Sequence, residues 1–189
     1  IESLRIAPFK PRGTDVSVIL DLMIHDLDFI LSLVQAPIAS IDAAGAPVFS
    51  DSEDIANARV KFANGCIANI TASRISLKTE RQMRIFQSDA YIAVDFDKRK
   101  TRIVAKKSAG PVAGFSDVDV EEQSYEEVDE LEREVEAFIA AVRDGTPPVV
   151  SGEDGLRALE AALSVTDSLR ANWDAVQAAA GEADKAGDD

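Results

Sequence analysis

The chain has 189 residues, 46% of them hydrophobic, with 20 basic against 34 acidic side chains and a net charge of −14. Such a length and composition suit one large domain with a real core. The acidic balance excludes nucleic acid and an anionic membrane surface as partners, because both are met by basic patches. The single cysteine, Cys66, excludes an internal disulfide and a Cys-based zinc site, and fits a reducing, cytoplasmic setting.

Residues 1–9 read as an extended segment. A chain that opens on a strand, without methionine, reads as a fragment of a longer protein. Lys10-Pro11-Arg12-Gly13-Thr14-Asp15 is a loop with two cations. Thr14 or Asp15 can cap the helix that follows, and Gln35-Ala36-Pro37 ends it.

That helix, residues 16–34, is apolar almost all round and is expected to be buried. Asp21, His25, Asp26 and Asp28 interrupt it, so it is no membrane span. Its polar residues are ordered. Ser17, Asp21, His25, Asp28 and Ser32 step by 4, 4, 3 and 4. At about 100° per residue they share one narrow sector, while Asp26 lies on the other side. The only histidine thus stands one turn from a carboxylate in each direction. Imidazole exchanges protons readily near neutral pH, and a neighbouring carboxylate can orient it for general acid/base work. A structural role in a core helix is the competing reading. Asp28 either orients His25 or makes a local helix-to-loop bond.

Residues 38–49 follow Pro37 as an extended segment. Residues 55–63 and 66–75 flank Asn64-Gly65, a strong hairpin signal. Residues 81–88, 90–97 and 101–107 continue the strand series. Residues 108–115, with Gly110, Pro111 and Gly114, form a loop, and residues 117–124 are one more candidate strand. Arg5, Arg74 and Arg84 stand on strands without a clue to which face they take. The acidic run 117–136 lacks the twelve-residue calcium-loop pattern. Residues 128–143 carry Leu131, Val135, Phe138, Ile139 and Val142 on one helical face, closed by Gly145. A last helix runs from about Ser151 to about Trp173. Residues 1–176 therefore form one α+β domain, and residues 177–189 an acidic, Ala/Gly-rich, frayed tail. An open, mixed, mostly antiparallel sheet of about six strands is expected, with helices packed on one face. The bare face of such a sheet calls for a second copy of the chain.

Asp21-Leu22-Met23-Ile24-His25-Asp26-Leu27-Asp28 resembles the D-x-x-x-H segment of the Gfo/Idh/MocA-type oxidoreductases. Phe138 through Pro148 and Val150 through Glu160 resemble that family's closing helices. The resemblance covers residues 1–173 and implies the C-terminal, substrate-binding and oligomerisation domain of a two-domain enzyme. The family's N-terminal Rossmann domain, which binds NAD or NADP, is absent, for no G-x-G-x-x-G occurs. The family's Glu-Lys-Pro segment is absent too. The resemblance implies that His25 is the acid/base on a substrate hydroxyl and Asp21 its orienting or substrate-holding partner. It places Lys10 and Arg12, with Asp28, at the substrate pocket. The segment Pro8-Phe9-Lys10-Pro11-Arg12 is most similar to members acting on UDP-sugars, whose phosphates suit Arg and Lys. The chain is thus expected to be half of an NAD(P)-dependent sugar or nucleotide-sugar oxidoreductase, inactive alone, with the cofactor held mainly elsewhere. The alternative is a non-catalytic module that dimerises through its sheet.

Overall fold

The computed structural model describes residues 1–11 and 13–186, and side chains as far as residue 177. Strands β1 (Glu2–Ile6), β2 (Ile38–Ala46), β3 (Ile55–Phe62), β4 (Ile67–Ser73), β5 (Glu80–Phe86), β6 (Ala90–Asp95), β7 (Lys100–Lys106) and β8 (Val118–Ser124) join in one sheet. Its order is β2-β3-β4-β1-β5-β6-β7-β8. Only β1 and β4 pair in parallel; every other neighbour is antiparallel. The sheet has eight strands, not about six. Each extended segment of the sequence takes a place in it, including the polar edge strand β8.

Period-2 alternation decides which face is covered. On β3, Ala56, Ala58, Val60 and Phe62 are buried while Asn57, Arg59 and Lys61 are exposed. Ala68, Ile70 and Ala72 of β4 and Met83 of β5 continue the buried face. A single π-helical turn (Ile19–Met23) runs directly into helix α1 (Ile24–Val34). Together they bury Ile19, Met23, Leu27 and Ile30 against those strands. Helix α3 (Gly152–Ala186) covers β2 beside them through Ala161, Ala162, Val165 and Leu169. Gly45 lets it come close, since a Cβ there would stand 2.5 Å from the Ile55 carbonyl oxygen and 2.6 Å from Leu169 Cδ1. Ser168 Oγ donates to the Ile41 carbonyl and accepts from the Ala43 N–H, which ties α3 to β2.

Asn64-Gly65 does make the β3–β4 turn. Gly65 takes φ +87°, and the Asn64 side chain accepts from the Cys66 N–H. Three helices differ from the sequence reading. Helix 16–34 is not uniform, and its outer side leaves Phe29 and Leu33 exposed. Helix α3 continues past Trp173 to Ala186, because the alanine-rich end has high helix propensity. Helix α2 (Glu130–Asp144) forms between its Asp129 cap and Gly145, but Leu131, Val135, Phe138, Ile139 and Val142 all remain exposed. The packed helices are therefore α1 and α3. Among the described residues no helix is long and apolar enough to cross a membrane.

Candidate active site

Helix α1 runs antiparallel to β1 and β4. Its start lies where those strands end, and its last turn reaches the β3–β4 hairpin, where Asn64 Nδ2 donates to the Val34 carbonyl. The π turn is therefore held at one end of the sheet. Its first N–H groups bond outward, with Val18 N–H donating to the Glu53 carbonyl, and Leu20 and Asp21 N–H to that of Ser17. The Ile24 N–H donates five residues back, to Ile19. Isolated π turns inside helices concentrate at functional sites. This one carries Asp21, and His25 follows it immediately.

Asp21 and His25 are both exposed, on the outer side of the helix, and Asp28 is half-buried. Among the described residues no hydrogen bond or ion pair joins His25 to Asp21 or Asp28. The i+5 bonding of the π turn changes the phase between Ser17 and His25, so regular α spacing does not hold across it. Ser17 turns inward, with a buried hydroxyl that has no partner. Ser32 bonds to the Phe29 carbonyl. Lys10 is exposed in the loop ahead of the helix. Arg12 lies outside the described residues.

Two ion pairs position this end of the sheet, and the sequence reading assigned neither. Asp26, on the inner side of α1, is buried and takes two hydrogen bonds from Arg5 of β1, at 2.8 and 3.0 Å. Its signal was present: a lone carboxylate on the apolar side of a helix needs a cation. Arg74, at the end of β4, is more extensively engaged. Its Nε donates to Asp54 Oδ1 at 2.7 Å. Its Nη atoms donate to the Gly13, Val16 and Glu53 carbonyls and to the hydroxyls of Ser50 and Ser52. Asp54 also accepts from the Val48, Phe49 and Ser50 N–H groups and from Ser50 Oγ. Burial pushes the Asp54 carboxyl up, but the hydrogen bonds from Phe49, Arg74, Val48 and Ser50 outweigh it and hold the group far below the usual carboxylate range. This network clamps the loop that feeds the π turn to the loop before β3. Arg84, by contrast, pairs with Glu2 on the bare face of the sheet.

The loop from β1 to the π turn carries one glycine, Gly13, and the loop from β8 to α2 carries none. What the arrangement offers is proton chemistry: an accessible imidazole on a rigidly seated helix, with a carboxylate one turn before it.

Comparison with known proteins shows the family to which this fold belongs. Residues 8–93 match the family model described as the GFO/IDH/MocA C-terminal domain, and the chain belongs to that family. A curated relative is UDP-N-acetylglucosamine 3-dehydrogenase of Acidithiobacillus ferrooxidans, 40% identical over 171 residues, which are 90% of this chain and 54% of the relative. Myo-inositol 2-dehydrogenase of Thermotoga maritima is 28% identical over 163 residues, 80% of this chain and 46% of that protein. The solved structure of the Acidithiobacillus ferrooxidans enzyme superposes with a TM-score of 0.81 over 90% of this chain and 54% of that one. Levoglucosan dehydrogenase in complex with NADH and levoglucosan shares the fold, with a TM-score of 0.76 at 13% identity over 90% and 56% of the two chains. The chain spans about half the length of the curated relatives it matches.

Proposed function

We propose that this chain is the substrate-binding, proton-handling half of an NAD(P)-dependent dehydrogenase acting on a sugar or nucleotide-sugar hydroxyl. The observation that carries the reading is the exposed Asp21–His25 pair, on a π turn and helix seated by buried ion pairs, in a member of this family. The likeness to a UDP-N-acetylglucosamine 3-dehydrogenase supports a nucleotide-sugar substrate. The nicotinamide, held mainly outside this chain, supplies the hydride acceptor.

Oxidising a carbinol to a carbonyl removes a hydride from carbon and a proton from oxygen. The proton must go to a base positioned at the hydroxyl. His25 takes that proton and returns it in the reverse direction. Asp21 holds the substrate or the protonated imidazole. Asp28, Lys10 and Arg12 are assigned in this reading as substrate contacts. The bare sheet face, with its cross-strand pairs Glu2–Arg84 and Arg102–Glu122 and the Phe86–Tyr91 aromatic pair, serves to associate two copies.

The test restores the upstream nicotinamide-binding half and measures turnover of a UDP-sugar. His25→Ala is expected to lower kcat by about 10²–10⁴-fold, the usual share of a general acid/base. Turnover within a few-fold of the parent would overturn the assignment.

A further inference from the structure

The fully buried part of the helix-covered core stops at β5, with Val94 and Phe96 packed at its margin. Met83 is its last fully buried strand residue, and β6, β7 and β8 have no fully buried residue. On that uncovered part of the same sheet face lies a cavity of about 500 Å³. Arg5, Arg81, Phe96, Arg99, Thr101 and Tyr125 are among its walls. It adjoins α1. Arg5 is bonded to Asp26, the residue after His25. Phe96 meets Phe29 edge-on, with ring centroids 5.9 Å apart. Phe29 lies one helical turn beyond His25 and on its side of the helix.

The charges in this cavity are unbalanced in their quality. Arg5 and Arg81 are directly opposed partners on β1 and β5. Like charges at such a pair cost stability unless something compensates them. Asp26 compensates Arg5 tightly. Among the described residues Arg81 has only Asp97, at 3.7 Å, and Arg99 only Glu127, at 3.6 Å, both of these carboxylates open to solvent. Exposed pairs of that kind are weak and readily exchanged. Arg99 also takes φ +51° in the β6–β7 turn, a left-handed conformation that glycine or asparagine would adopt with less strain. Of the acids at the cavity, Asp95 is already engaged by Lys98 and Gln82. Glu126 and Glu130 also line it. In a chain of net charge −14, three guanidinium groups gather in one concavity next to α1, the helix that carries His25.

We infer that this cavity is the anion-binding half of the same site, where Arg81 and Arg99, backed by Arg5, hold a phosphate or pyrophosphate group of the ligand whose reacting carbon lies at His25. The inference rests on the dehydrogenase reading above. Guanidinium forks match phosphate oxygens in pairs, and a doubly charged anion displaces the loose carboxylates Asp97 and Glu127. A pyrophosphate can belong to a nucleotide-sugar or to the dinucleotide, and the chemistry of the pocket is the same for both.

The test is calorimetric titration of the 189-residue chain with inorganic pyrophosphate, UDP and NAD⁺, at low and at physiological salt. Pyrophosphate and at least one nucleotide should bind saturably, and more weakly as salt rises. Arg81→Met and Arg99→Met should each weaken binding about fivefold or more, and the double variant more than either. Arg81 is exposed and Arg99 is half-buried with its guanidinium in a loose surface pair, so circular dichroism should show thermal midpoints close to the parent's. Binding of UDP alone assigns the pocket to the substrate, and arginine-dependent binding of NAD⁺ assigns it to the dinucleotide; both support the anion site. Affinities that ignore both substitutions, or no saturable binding of any of the three, overturn it. Failure of His25-dependent turnover in the restored enzyme would instead remove the dehydrogenase reading and leave this binding result standing.

Discussion

Replacing Arg74 by Met tests the account of how the candidate site is held in place. Asp54 is 0% exposed, and Arg74 is 6% exposed. The substitution removes one charged partner of Asp54 and five further hydrogen bonds that Arg74 donates to the loops on either side. Stripping one member from a buried ion pair costs about 3–5 kcal/mol, because the other charge stays desolvated. Asp54 keeps four hydrogen bonds from Val48, Phe49 and Ser50, which restrain the loss. The freed carbonyls of Gly13, Val16 and Glu53 add to it, each a lost hydrogen bond worth about 1 kcal/mol. A loss of about 3–5 kcal/mol is therefore expected from urea unfolding. The double variant Asp54→Asn/Arg74→Met should be less destabilised than the sum of the single changes, since the neutral amide needs no counter-charge. The pH dependence carries a sign. The folded Asp54 carboxyl lies below its unfolded value of 3.8, so its contribution is fully present above that value and fades as pH falls through the folded one. In the Arg74→Met protein that fading should begin at higher pH. A loss below about 1 kcal/mol, or strict additivity in the double variant, would refute the reasoning.

Further substitutions probe separate parts of the fold. Gly45→Ala forces a Cβ between the Ile55 carbonyl and Leu169 and should cost about 1–3 kcal/mol by thermal denaturation. Ser3 is buried with an unbonded hydroxyl, so Ser3→Ala should be neutral or stabilising. Asp26→Asn leaves Arg5 without its counter-charge and with one amide oxygen in place of two carboxylate oxygens; since Arg5 keeps some contact with water, the expected loss is about 2–3 kcal/mol, below that of a fully buried pair. If the bare sheet face joins two copies, light scattering should report a dimer or larger, and Phe86→Glu, on that face, should shift it toward monomer. A monomer in the parent at high concentration would count against that face.

What the sequence disclosed follows from the range of the interactions. The Asn64-Gly65 turn, the Gly145 helix stop and the alternation of β3 depend on neighbours a few residues apart, and all were legible. The strand count was not. Eight extended segments could be read singly, but joining polar β8 to the sheet depends on its pairing with β7. The π turn escaped because angular arithmetic assumes one helical period throughout. Arg5–Asp26 and Arg74–Asp54 span 21 and 20 residues, a distance over which local pattern carries no register.

Asp26 marks how far the sequence could still have reached. Its place on the apolar side of a helix demands a cation, and three strand arginines, Arg5, Arg74 and Arg84, are the candidates. Arg84 pairs with Glu2 on the opposite face, and Arg74 is taken up by Asp54. Arg5 is left, on β1 beneath the start of α1. The consequence reaches the candidate chemistry. A two-point bond from Arg5 fixes the roll of the helix about its own axis. His25 is the preceding residue, about 100° round the helix. The pair that buries Asp26 therefore also turns His25 outward, toward the side where Phe29 meets Phe96 and the arginine cavity opens.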